Sequence, residues 1–148
     1  MSTVEIDQSV KIEQTSRDTI IAFANDFSRA IVIPSQVKKY LKKRFRELGK
    51  PNMFYYRTFA AGVALLLKRH IRKIGRVVID TEYAGRERMI RDMVVDMLSG
   101  QGFKLPIIEF KEIGKRSNAH TVAYLTMKRK RAPDEILALR NLWELIFR

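Results

Sequence analysis

The sequence predicts one mixed α/β domain spanning residues 1–148: a mixed sheet with three antiparallel N-terminal strands followed by strand-helix-strand units. Three observations predict it. Up to residue 33 the apolar residues alternate or run in β-branched blocks. From Ser35 the apolar period becomes helical. The short apolar run Arg76–Asp80 is then separated from a second strand-like run, residues 106–113, by an amphipathic segment.

The elements follow in order. Val4, Ile6, Val10 and Ile12 occupy even positions, and Asn25-Asp26 lies between two β-branched runs within residues 19–34, the pattern of a turn joining antiparallel strands. Ser35 is a suitable N-cap for a helix with apolar residues Val37, Tyr40, Leu41, Phe45 and Leu48. Its remaining faces carry Lys38, Lys39, Lys42, Lys43 and Arg46, and Gly49 closes it. A second helix, from Met53 to Lys73, is apolar on most sides and belongs against the sheet. The run from Arg76 reads as a buried strand ending at Asp80. A helix from Gly85 to Leu98 carries Met89, Met93, Val94 and Met97 as its stripe and stops at Gly100-Gln101-Gly102. Residues 106–113 alternate as a strand, parallel to the previous one across a right-handed crossover. Ser117 caps the next helix. Pro133 with Asp134-Glu135 opens the last, whose stripe is Ile136, Leu139, Leu142, Trp143 and Ile146.

Composition narrows the partners. The chain has 148 residues, 46% hydrophobic, a net charge of +13 and no cysteine, so disulfides and thiolate metal sites are excluded. A reducing, cytoplasmic setting is expected. The polar start does not read as a secretory signal, and the longest apolar run, Phe59 to Leu67, is nine residues where a membrane span needs about 20. The first 30 residues are slightly acidic, so the positive excess lies downstream and favours a polyanion such as DNA or RNA. No phosphate-binding glycine loop or dinucleotide fingerprint occurs. His70 and His120 are too far apart in sequence to suggest structural zinc.

Against this basic background Asp80, Glu82 and Glu87 gather after an apolar strand, where α/β sheets collect their ligands. Carboxylates brought close repel unless a cation lies between them, and Mg²⁺ or Mn²⁺ suits a site of few carboxylates and substrate phosphates. Glu87 also fits an ordinary first-turn acid, complementing the helix dipole. His120 lies one turn into its helix, with small Ala119 and Ala123 beside it; it reads either as a half-buried structural histidine or as a ligand or general base facing Asp80. Asp26 has an ordinary explanation too, because Asp tolerates turns.

Three antiparallel strands, a helix, a strand ending in an acid, a helix, a strand and a helix bearing an Asp or His resemble the ribonuclease H-like fold of nucleases and Holliday-junction resolvases. The resemblance covers about residues 3 to 127. The segments around Ile31–Pro34, Ile79–Gly85 and Ile113–His120 also resemble a group of uncharacterised archaeal proteins of that kind. It implies a metal-dependent nuclease with Asp26, or in another register Asp7, as first-strand acid, Asp80 as fourth-strand acid and His120 as last-helix ligand. The metal ligands expected are thus Asp80, Asp26 and Glu82. The Met53–Lys73 helix lacks the acid that ribonuclease H carries, so Glu47, Glu82 or Glu87 would have to replace it. Lys115 and Arg116 would position phosphate, and a resolvase would act as a homodimer.

Two other readings stand beside this one. Glu109-x-Lys111 resembles the acid-x-lysine element of restriction-endonuclease-like enzymes, which requires antiparallel pairing with the Asp80 strand. A non-catalytic basic module would bind nucleic acid through the first helix, through Lys68, Arg69, Arg72 and Lys73, and through the run from Lys128 to Arg131, with Phe54, Tyr55 and Tyr56 stacking on bases or packing in the core.

Overall fold

The computed structural model describes residues 1–100, 102 and 104–148, so Gln101 of the expected Gly-Gln-Gly stop lies outside the described residues. The strands are β1 (Ser2–Ser9), β2 (Thr19–Ala24), β3 (Ser28–Ile33), β4 (Ile74–Asp80), β5 (Ile107–Lys111) and β6 (Glu135–Ile136); the helices are α1 (Ser35–Glu47), α2 (Met53–Lys68), α3 (Glu87–Leu98), α4 (Asn118–Met127) and α5 (Leu139–Ile146). One six-stranded sheet runs in the order β5-β4-β1-β2-β3-β6. β2 is antiparallel to β1 and β3, while β1–β4, β4–β5 and β3–β6 pair in parallel. The class of fold and the antiparallel start agree with the sequence reading.

Side-chain alternation gives the sheet two covered faces. Val4, Ile6, Ile21, Phe23, Ile31, Ile33, Val77 and Ile79 point into the main core, where α1, α2, α3 and α5 pack. Glycine at position 62 lets α2 approach closely, because a Cβ there would stand 2.7 Å from Ile21 Cδ1 and 3.1 Å from Ile33 Cδ1. On the opposite face Ile20, Ala22, Ala30 and Val32 meet Ala123 of α4.

Three elements differ from expectation. α2 stops at Lys68, and a 3-10 turn, Ile71–Lys73, carries the chain into β4, with Ile71 and Ile74 both buried. The last helix starts at Leu139 instead of Pro133. Asp134 N donates to Ala30 O, its carboxylate accepts from Ala30 N, each at 2.8 Å, and Leu137 N donates to Val32 O. The segment thereby satisfies the open edge of β3, which a helix starting at Pro133 would leave unpaired. Ile136, expected in the core, is 64% exposed, whereas Leu142 and Ile146 are buried.

The third difference corrects a proposed nucleic-acid contact. The buried stripe of α1 is Lys38, Leu41 and Phe45, with Tyr40 and Leu48 exposed. Lys38 is 0% exposed, and its Nζ donates to Gln14 O at 2.7 Å, Thr19 Oγ1 at 2.8 Å and Lys11 O at 3.4 Å. An ammonium has three donors, and the β1–β2 loop with the start of β2 takes all three. Lys38 ties down that loop and does not face a polyanion. Phe54 is buried and Tyr55 packs edge-to-face on it and on Tyr56, so these rings build the core and its rim. No helix among the described residues is long and apolar enough to cross a membrane.

Candidate metal centre

β1 and β4 are parallel and in register, Ile6 opposite Ile79, so the next residue of each, Asp7 and Asp80, stands on the same face at the carboxyl ends of neighbouring strands. Adjacent strands lie about 4.8 Å apart, which brings the two carboxylates together without any loop. Glu82, two residues beyond Asp80, completes a group in which carboxylate oxygens of Asp7, Asp80 and Glu82 all lie within 4.8 Å of one another.

Each acid is held. Asp7 is 5% exposed; its Oδ1 accepts from Gln8 N at 2.8 Å and its Oδ2 lies 2.9 Å from His120 Nδ1. Asp80 Oδ1 accepts from Ile113 N at 2.9 Å, in the loop after β5. That loop leads to Ser117, whose hydroxyl accepts from Ala119 N and His120 N and so caps α4. Ala119 and Ala123, both buried, let α4 sit close enough for His120 to reach Asp7. The His120 ring is about one-third exposed and stacks on Tyr124, 6.4 Å between centroids at 15°.

Burial pushes the Asp7 carboxyl above its usual range, and the Asp80 charge adds to this while His120 and Gln8 N–H oppose it. Glu82 is pushed up to about 7, first by burial, then by Asp80 and Asp7, with Lys11 pulling the other way. Asp7 and Glu82 are thus held against ionisation beside the Asp80 carboxylate, and a divalent cation would relieve the repulsion by taking an oxygen from each acid. The donor set, three hard oxygens with a neighbouring imidazole, could hold a metal ion.

The structure brings together Asp80, Glu82 and His120 and puts Asp7 where Asp26 was expected. Asp26 occupies the β2–β3 turn and accepts from Ser2 Oγ at 3.0 Å. Because β1 and β2 are antiparallel, that turn meets the start of β1, about 15 Å of strand away from Asp7 near its end. Asp26 is therefore not a member of the cluster. His120 faces Asp7 and not Asp80. Glu87 is the first residue of α3, outside the cluster, with a buried carboxylate oxygen that has no partner among the described residues. Glu47 is exposed at the end of α1. Of Glu47, Glu82 and Glu87, Glu82 is the one that joins the cluster.

Of the basic candidates, Lys39, Lys43, Arg46, Lys115 and Arg116 are exposed and Lys42 is half-buried. Lys115 and Arg116 follow Ile113, whose N–H bonds Asp80, in the same loop. Glu109 pairs with Arg76 at 2.7 Å and only loosely with Lys111, and β4–β5 pairing is parallel, which removes the restriction-endonuclease-like reading. One signal for Asp7 was present in the sequence: β1 and β4 both end their apolar runs in Ile-Asp, Ile6-Asp7 and Ile79-Asp80.

The fold and the cluster together define a mixed α/β protein with a carboxylate site at the ends of two parallel strands. No protein-family model, curated protein or solved structure matches the chain.

Proposed function

We propose that the protein is a ribonuclease H-like, Mg²⁺- or Mn²⁺-dependent hydrolase of nucleic-acid phosphodiesters. The observation that carries this reading is the convergence of Asp7, Asp80 and Glu82 within 4.8 Å in a chain of net charge +13. The three antiparallel N-terminal strands, the parallel β4–β5 unit after them and the acids on β1 and β4 support it, since that resemblance implies each.

In this reading Asp7, Asp80 and Glu82 hold the metal, which when bound polarises the scissile phosphate and lowers the pKa of attacking water. Asp7 also orients His120. With Nδ1 donating to Asp7, the neutral ring keeps Nε2 as an acceptor, suited to take a proton from the attacking water. Lys115 and Arg116 hold the substrate backbone as it crosses the acids, and their charge offsets what develops on the phosphate. An acidic centre in a basic protein then has a division of labour: bases bind the polymer, acids bind the ion.

Calorimetric titration of Mn²⁺ into wild type and Asp80→Asn, followed by incubation of both with end-labelled DNA and RNA, tests the proposal. Wild type should bind Mn²⁺ and cleave, and the variant should do neither while still binding nucleic acid. Cleavage by Asp80→Asn at the wild-type rate would refute it. The exposed basic residues of α1 favour a second reading, a non-catalytic nucleic-acid-binding module; tight binding with neither Mn²⁺ uptake nor cleavage would select it.

A further inference from the structure

The face that holds the acids continues into a cleft of about 650 Å³ beyond the last turn of α4. Ile20 of β2 opposes Val32 of β3, which opposes Ile136 of β6, so three aliphatic side chains from adjacent strands form its floor. Met127 walls it, and two guanidiniums, Arg17 and Arg129, stand at its rim. Arg17 lies 3.3 Å from Met127 Sδ. The acid in the lining, Asp18, already accepts from Ser35 N at 2.8 Å. The cleft therefore joins an apolar floor, whose exposed part is mainly Ile136 at 64% against 4% for Ile20 and 8% for Val32, to a rim of two guanidiniums and one carboxylate, an excess of one positive charge.

Arg129 adds a second, independent observation. α4 ends in a Schellman motif, with Arg129 N bonded to Thr126 O and Lys130 N to Leu125 O, and Arg129 in the left-handed region at φ 60°. α1 ends in the same motif, Gly49 N to Arg46 O and Lys50 N to Phe45 O, with glycine at φ 73°. The chain thus places glycine at this position in one helix and an arginine, which is strained there, in the other. Val10, at φ 67°, is the other non-glycine residue in this region among the described residues, and of the two Arg129 brings a charged side chain to the cleft.

We infer that this cleft binds an unpaired nucleotide of a nucleic-acid strand, its base on Ile136 at the mouth of the floor and its phosphate between Arg17 and Arg129. A base within a duplex has no free face to lay on a sheet, so the ligand class is single-stranded or locally opened nucleic acid. Charge complementarity selects the anion, and the aliphatic floor selects its flat apolar part. Asp7 pairs with Ala22, and Ile20 follows two residues along β2 on the same side. Ile136, three strand spacings across the sheet at the level of Ile20, accordingly lies about 16 Å from Asp7, within the reach of one bound strand. This rests on the nuclease reading only for the cleavage step, since binding needs no metal.

The test is fluorescence anisotropy of a labelled single-stranded 12-mer and its duplex, in EDTA so that nothing is cut. The variants are Arg129→Gly, which relieves the turn and keeps the fold, Ile136→Glu at an exposed site, and Lys130→Ala as a control for charge alone. Arg129→Gly and Ile136→Glu should each weaken single-strand binding about tenfold, the scale of one lost charge-assisted contact, and duplex binding much less. Lys130→Ala should weaken both ligands equally and slightly. Wild-type affinity in Arg129→Gly and Ile136→Glu, or losses no larger than in Lys130→Ala, would overturn the inference. So would a polyglutamate peptide that binds wild type as tightly as the 12-mer and is lost in Arg129→Gly, marking an acidic-peptide site. Selective single-strand loss together with an inactive protein would refute the nuclease while leaving this site in place.

Discussion

Replacing Lys38 by methionine isolates one buried charge. Methionine keeps the length and apolar stem of the lysine and removes its ammonium, which is fully enclosed and bonded to Gln14, Thr19 and Lys11. Burial pushes the Lys38 amine down to about 8 from 10.5, with Asp18 and Glu13 resisting and Arg17 assisting. The unfolded chain therefore holds this proton up to about pH 10.5, while the folded chain releases it near 8. Between those values the unfolded state binds more protons, so the Lys38 contribution to stability rises with pH; below 8 both states are charged and the cost is constant. At about 1.4 kcal/mol per pH unit, the rise across the window is about 3 kcal/mol. At pH 7 the lost hydrogen bonds and the relieved charge burial oppose each other, leaving wild type and variant within about 2 kcal/mol. Urea unfolding of both proteins by circular dichroism from pH 7 to 10.5 measures this. Subtracting the curves cancels the common tyrosines and lysines. A wild-type-minus-variant difference that stays flat with pH would refute the buried-ammonium argument.

Three further outcomes are expected. Without divalent ions, stability should fall as pH rises from 4.5 through 7, because the folded Glu82 holds its proton above the unfolded value; Mg²⁺ or Glu82→Gln should flatten that fall in thermal melts. Ser117→Ala removes the cap of α4 and should cost about 1 kcal/mol in urea unfolding while changing the His120 imidazole resonances, since the cap places the ring. Lys115→Ala with Arg116→Ala should weaken binding of any sequence alike and reduce the steepness of its salt dependence by about 2 in log–log slope, measured by filter binding across salt concentrations.

Much of the architecture was legible because it is local. A β-branched run with period two, or an apolar stripe with period 3.6, is written in neighbouring residues, so β2, β3, α1, β4, α3 and α4 could be placed from the chain alone. Asp80 was legible for the same reason: an acid ending an apolar strand sits at a sheet's carboxyl edge, and Glu82 follows it by a spacing of two. Ser117 and the small Ala119 and Ala123 likewise announced a capped helix lying close to the sheet.

Tertiary structure decided what depends on register and enclosure. Only the in-register pairing of Ile6 with Ile79 makes Asp7 the neighbour of Asp80, and only the antiparallel run of β2 carries Asp26 to the far end. Lys38 looks like its neighbours Lys39 and Lys42 in sequence; the fold of the β1–β2 loop around it turns a surface charge into a buried clamp. Pro133-Asp134-Glu135 reads as a helix start until the open edge of β3 supplies the stronger demand for backbone partners. Sequence period sets which way a side chain points along its own element, whereas the neighbour it meets is set by pairings between residues far apart in the chain.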